Sequence, residues 1–256
     1  MSTIVCPIDF QDASLYSVRI AAAIAEKTNA EILFLHAQNE PENQMRERLE
    51  AGMARVGFTM EKLSSRPFSF VDSRKGLIQS IKEIGQSKDI GLIIMITNGI
   101  SDLKELYGGT HTENVAGKTP YPVLSVPHDF EGKDFKQILF ATDYESSAMA
   151  DTESLLLFAQ VFGSKLHVIH ISDEENPASQ SLFESFKNGI SSKFGAGTVD
   201  VRRVIGTDKE SLLLNEAVEL DVDLISLHKN QFNVADGSKT DLFVRMAQFP
   251  VLILKS

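Results

Sequence analysis

Cysteine is almost missing from this chain: Cys6 is the single one in 256 residues, so no disulfide can form within a chain. It sits inside the first apolar run and reads as a small buried hydrophobe rather than a redox or catalytic thiol. Long apolar runs are missing too, none reaching the ~18 residues that a membrane span needs. The first strand candidate begins within a few residues of Met1, which leaves no room for a charged, apolar and cleavable leader. Positive charge is in deficit, with 25 Lys and Arg against 35 Asp and Glu and a formal net charge of −10. Binding to nucleic acid or an anionic membrane relies on clustered cations that displace counterions, so neither is expected as a partner. No His, Cys and Asp group has the ligand spacing of structural zinc, and no metal centre is expected. These absences predict a soluble, cytoplasmic chain.

What is present is a repeat. Gly109-Thr110 lies thirteen residues before Pro122-Val123-Leu124, and Gly237-Ser238 lies thirteen before Pro250-Val251-Leu252. The starts agree as well: Ile4-Val5-Cys6-Pro7-Ile8-Asp9 matches Ile138-Leu139-Phe140-Ala141-Thr142-Asp143, an apolar run closed by an acid. A repeat on this scale sets the domain count. The chain reads as two modules, residues 1–129 and 134–256, joined by a linker around Gly132.

Within the first module, short apolar runs predict strands over 4–8, 32–37, 68–71, 92–96 and 123–126. Helical spacing of apolar residues predicts helices over 15–28, with Asn29 as its stop, over 42–56 and over 77–84. A loop and helix are expected from Gly99 to about Gly117. The second module repeats the order: strands over 138–142, 166–171, 199–204, 224–227 and 251–254, and helices over 149–162, 181–194 and 209–220, with a short one from Asp241. Alternating helices and nearly continuous apolar strands predict an α/β class, with a five-stranded parallel sheet in each module flanked by helices.

Ligands of open parallel sheets bind beyond the carboxyl ends of the strands, where the strand order switches. Asp9 and Asp143 stand at the ends of the first strands, where a carboxylate can accept hydrogen bonds from a ribose hydroxyl or an amino group. Each fits equally well as a cap of the turn into its helix, and the sequence leaves both readings open. Thr110 and Glu113 have capping-box spacing, which puts Thr110 at a helix N-cap with backbone N–H groups pointing outward, a setting that suits phosphate. Gly109 would let an anion approach without a Cβ in the way. The same five residues, through His111 and Thr112, also suffice merely to start a helix. Asn98-Gly99 after the fourth strand either lets a ligand lie over the strand end or is an ordinary turn. His36, His167 and His170 fall in or beside strands as core or pocket-lining groups, His128 follows the last strand of the first module, and only His111 and His228 fall where a ligand would meet them.

Together these residues resemble the universal stress protein family in its tandem form, over nearly the whole chain. The family opens with an apolar strand ending in Asp, as in Pro7-Ile8-Asp9-Phe10 and Ala141-Thr142-Asp143-Tyr144. Its ATP-binding members carry Gly-x2-Gly-x9-Gly-Ser/Thr, then a helix and a closing Pro-Val-Leu strand. Here Ile96 stands at the first glycine, while Gly99, Gly109 and Thr110 match. In the second module only Gly237-Ser238 survives, and its loop is about four residues shorter than the pattern.

The resemblance implies an open-twisted, Rossmann-like fold of the adenine-nucleotide α-hydrolase kind, with the modules paired through their last strands. It implies an ATP or AMP site in the first module, bounded by Pro7, Ile8, Asp9, Ala37, Ile96 and Gly99, with Gly109, Thr110, His111 and Thr112 holding phosphates. Asp9 or Thr110 would share a magnesium ion if the ligand is ATP. A weaker second site would draw on Thr142, Asp143, His228, Gly237, Ser238, Lys239 and Thr240. The function implied is a stress-response switch or sensor with an unknown protein partner and scope for a homodimer. The alternative is a nucleotide-free tandem scaffold for protein–protein contact. The chain has neither a Ser-Gly-Gly-x-Asp-Ser nor a Gly-x4-Gly-Lys-Ser/Thr loop and no evident catalytic residue, so ATP hydrolysis is expected to be slow at most.

Overall fold

Among the described residues ten strands, β1 to β10, are found, and every pairing between them within a unit is parallel. The computed structural model describes residues 3–36, 40–63, 66–72, 75–97, 115, 118–127, 130, 134–142, 148–195, 197–228 and 248–255. The chain divides into two units, Met1–Lys133 and Asp134–Ser256.

In the first unit the strands are β1 (Thr3–Pro7), β2 (Glu31–His36), β3 (Phe68–Asp72), β4 (Ile90–Thr97) and β5 (Val123–Pro127). Their spatial order is β3-β2-β1-β4-β5. The chain therefore leaves β1 toward one edge and returns to β4 on the other side, so the order switches between β1 and β4. The helices are α1 (Asp12–Thr28), α2 (Glu42–Arg55), α3 (Met60–Leu63) and α4 (Leu77–Ser87). Helix α1 runs where its apolar spacing placed it, although it starts three residues earlier. It ends as expected on Asn29, whose left-handed backbone (φ 56°) returns its N–H to the Ala25 carbonyl. Asparagine tolerates that conformation better than most residues with a Cβ. The short α3 has no counterpart in the sequence reading, because four residues are too few to show a period.

The second unit has β6 (Gln137–Ala141), β7 (Lys165–Ser172), β8 (Val199–Ile205), β9 (Leu224–His228) and β10 (Val251–Leu254), in the order β8-β7-β6-β9-β10. Its helices are α5 (Ala148–Phe162), α6 (Pro177–Phe194) and α7 (Lys209–Glu219). Helix α6 starts four residues before the expected 181. Asn176 and Ser179 form a reciprocal capping box and Pro177 occupies the first turn, where its missing N–H costs nothing.

Each sheet is buried on both faces, which is why its central strands read as unbroken apolar runs. Ile4, Val5, Cys6, Phe34 and Ile93 are fully buried in the first unit, and Ile138, Leu139, Phe140 and Val168 in the second. No helix among the described residues is long and apolar enough to cross a membrane.

Candidate functional site

The described residues of the expected sites lie at the carboxyl ends of β1 and β4 in one unit and of β6 and β9 in the other. In the first unit β1 delivers half-buried Pro7, buried Ile8 and exposed Asp9 to the switch point. The Ile8 backbone is held on both sides. Its N–H donates to the Leu35 carbonyl at 2.9 Å, and its carbonyl accepts from His36 Nδ1 at 2.8 Å. A carbonyl only accepts, so Nδ1 must carry the proton. His36 is buried, and its Nε2 has no hydrogen-bond partner among the described residues, lying 3.6 Å from Glu40 Oε2.

Asp9 caps its own turn: one carboxylate oxygen accepts the Gln11 N–H at 2.9 Å. That is the Asx-turn geometry for which aspartate is favoured. Among the described residues only Oδ1 is engaged in this way, and Asp9 is exposed. The turn-cap reading of Asp9 is thus seen directly, and it does not use Oδ2.

Phe10 follows with a left-handed backbone (φ 64°), an outlier for a bulky side chain that the surroundings must hold in place. They do so through α2. The Arg48 guanidinium lies 4.3 Å from the Phe10 ring centroid, and Arg55 Nη2 donates to the Phe10 carbonyl at 3.3 Å. His36 packs edge-on to the same ring with centroids 4.8 Å apart. Arg48 also bonds Glu40 Oε2 at 2.7 Å, so His36, Glu40, Arg48 and Phe10 form one cluster under the Asp9 turn.

Ile96 is half-buried and pairs in register with Val126, and β4 continues through Thr97. The strand thus outruns the expected 92–96 at both ends. The position where the family pattern has its first glycine is a strand position here, and a β-branched residue suits it. Ala37, Gly99, Gly109, Thr110, His111 and Thr112 lie outside the described residues, as does His128; of the helix expected up to about Gly117, Val115 is helical and buried, and the backbone at Lys118 just beyond is helical too.

In the second unit the same arrangement recurs. The Thr142 N–H donates to the Ile169 carbonyl at 2.9 Å, and the Thr142 carbonyl accepts from His170 Nδ1 at 2.8 Å. Asp143 follows Thr142 in sequence but lies outside the described residues, with Gly237, Ser238, Lys239 and Thr240. His228 departs from expectation. It is a buried strand residue, in register with Leu254, because β9 runs one residue further than its apolar run suggested.

The sequence reading placed His36 and His170 in or beside strands but missed their shared role. The signal was present: each histidine lies twenty-seven residues after the acid of its own module. Among the described residues no group of three or more His, Cys, Asp and Glu side chains could hold a metal ion.

His167 belongs to a separate network near the other end of its sheet. It is buried, with Nδ1 2.9 Å from Asp200 Oδ2 and Nε2 2.9 Å from the Gln137 side-chain oxygen. Burial holds its pKa below the ordinary imidazole value, against the opposing pull of Asp200. A neutral ring donates from Nδ1 to Asp200 and accepts at Nε2, with the Gln137 amide turned half over to present its NH2. Asp200 in turn is held below the usual carboxylate range, its bonds to His167 and Arg202 outweighing burial.

Both shifts have the same sign of consequence. A depressed histidine pKa means the unfolded chain takes up the proton first, so this stabilisation is complete above about pH 6.5 and is lost as pH falls below it. Asp200 adds a further loss at lower pH. Urea unfolding between about pH 5 and 8 is therefore expected to show stability rising with pH, with a flatter rise in His167→Gln.

No family model and no curated protein matches the chain. Solved structures do. A universal stress protein from Archaeoglobus fulgidus DSM 4304 is 18% identical, with 99% of this chain and 98% of that one covered and a TM-score of 0.71. A putative universal stress protein from Pseudomonas aeruginosa UCBPP-PA14 is 17% identical over 100% and 93%, with a TM-score of 0.63. The cytoplasmic domain of a prokaryotic cation chloride cotransporter also aligns, at 9% identity over 98% and 94% and a TM-score of 0.56. At such identities the likeness concerns the fold, which unrelated functions share. The chain is an α/β protein with the fold of universal stress proteins.

Proposed function

We propose that this is a universal stress protein whose first unit binds an adenine nucleotide at the carboxyl ends of β1 and β4, working as a cytoplasmic switch or sensor toward a protein partner. The observation that carries this reading is Asp9. It stands exposed at the switch point with one carboxylate oxygen fixing its turn and the other without a partner among the described residues, on a loop clamped by Ile8 and His36. A carboxylate oxygen in that place suits the hydroxyls of a ribose. If the ligand is ATP, the same hard oxygen donor suits a magnesium ion, whose chemistry would be to neutralise phosphate charge. The phosphates themselves would fall to Gly109, Thr110, His111 and Thr112.

A nucleotide-free scaffold is the second reading, and Ile96 favours it. A half-buried isoleucine in β4 stands where nucleotide-binding relatives are expected to keep a glycine.

Mass spectrometry of freshly purified, denatured protein is expected to release adenine nucleotide. Titration calorimetry with ATP and AMP should then show binding that weakens about tenfold or more in Asp9→Ala, the scale of losing a hydrogen bond to a charged group. Gly109→Val should abolish it. No nucleotide and no heat with either ligand would sink the reading and leave the scaffold. Any ATP turnover is expected to be slow, since no water-positioning carboxylate with a cationic clamp is evident. Many turnovers per second, abolished in Asp9→Ala, would contradict that.

A further inference from the structure

We propose that His36 and His170 are positioning residues, each fixing the backbone that carries the strand-end acid of its own unit, and that His36 thereby sets nucleotide affinity in the first unit. The second part rests on the nucleotide reading above; the first does not. Two independent copies of the same contact carry it. In each unit the second strand carries a histidine, at its end in β2 and two residues before its end in β7, whose Nδ1 donates to the carbonyl of the residue just before the acid, at 2.8 Å in both cases. The sequences around the two contacts otherwise differ, with Ile8 in one and Thr142 in the other. A core histidine retained only for packing has no need to bond the equivalent carbonyl twice.

The geometry gives the contact a job. Ile8 and Thr142 lie past the ends of β1 and β6, where the regular strand pairing stops. Their N–H groups still pair with the second strand, but their carbonyls point beyond it and would otherwise need water or a ligand. The imidazole takes that place. It also requires the Nδ1–H form of the ring, whereas a free imidazole prefers its proton on Nε2. In the first unit the consequence is visible one residue on: Asp9 is turned over Gln11, and Phe10 is held left-handed against the same imidazole.

The test uses the full chain labelled with 15N-histidine, read by long-range 1H–15N NMR at about pH 8, where an ordinary histidine is neutral. His170→Asn and His36→Asn assign the rings. Both are expected to show the Nδ1–H form; an Nε2–H form at His36 would overturn the proposal. The amide signals of Asp9 and Gln11 are expected to move in His36→Phe and to return in His36→Asn, whose side-chain amide replaces the Nδ1 donor. Unmoved amides in His36→Phe would also overturn it. In calorimetry with ATP, His36→Phe is expected to bind about tenfold more weakly and His36→Asn within about threefold of the native chain, as for loss and recovery of one buried hydrogen bond. Native protein that binds no ATP would refute the nucleotide reading alone, the ring form and the amides still deciding the positioning role. Should His36→Phe fail to fold, the ring form of the native chain and the Asn variant decide it.

Discussion

Truncating Phe34 to alanine is expected to destabilise the first unit by about 3–5 kcal/mol, the range for deleting a buried aromatic ring. Phe34 is fully buried in β2, with Cys6 of β1 and Phe70 of β3 as its register neighbours. Its ring lies 5.8 Å from that of Phe68 and 5.5 Å from that of Phe70, centroid to centroid. The cavity cannot close cheaply. Both neighbouring strands are fixed by parallel ladders, so the walls cannot move inward without breaking backbone hydrogen bonds, and residual cavity volume is what makes such truncations costly. Urea unfolding followed by circular dichroism should shift the first unit's midpoint down by more than about 1 M, given usual slopes. A loss below about 1 kcal/mol would show that the aromatic cluster is not part of a packed core.

Cys6 is expected to be inert in the native chain and fully reactive in the unfolded one. It is completely buried in β1, and burial pushes its thiol up to about 12 from an ordinary value near 9.0. A thiolate is the reactive form, so that shift alone lowers the reactive fraction about a thousandfold, before access is considered. The neighbouring Ser17 hydroxyl, 3.1 Å away, does not reverse it. That hydroxyl already donates to the Ser14 carbonyl at 2.6 Å, which leaves Cys6 as the donor between the two. An aromatic disulfide reagent near pH 8 should find one thiol per chain promptly in denaturant and none over the same minutes without it. Prompt labelling of native protein would contradict the burial of β1.

The sheets were readable because burial on both faces leaves a simple trace, an apolar run of strand length followed by a turn. Ile4 to Ile8 and Ile138 to Thr142 show it, and the repeat doubled the signal. Boundaries were less readable where the deciding interaction is a side chain. Nothing periodic announces that Asn176 and Ser179 cap each other, so α6 starts earlier than its apolar spacing suggested. His228 was misplaced for a related reason: a polar residue at the end of an apolar run looks like a loop until its strand partner, Leu254, is known. At the site, the position of Asp9 follows from strand and turn alone. The clamp on it does not, because a hydrogen bond from an imidazole to a carbonyl twenty-eight residues away leaves no local pattern. What did remain in the sequence was the equal spacing of acid and histidine in both modules.

The switch in strand order also governs how each unit can form as it leaves the ribosome. The central strand β1 is made before the other strands of its unit, yet its neighbour β4 pairs Thr3 with Ile90 and Val5 with Ile93. Until that stretch emerges, one edge of an apolar strand has no partner, and such edges are where nascent chains associate wrongly. The second unit faces the same interval, since β6 waits for β9, with Ile138 opposite Leu224. Pairings this distant in sequence form slowly once the chain is free. Each unit therefore spends most of its synthesis as an incomplete sheet, and a translation pause just before β4 or β9 would lengthen the most exposed moment of its life.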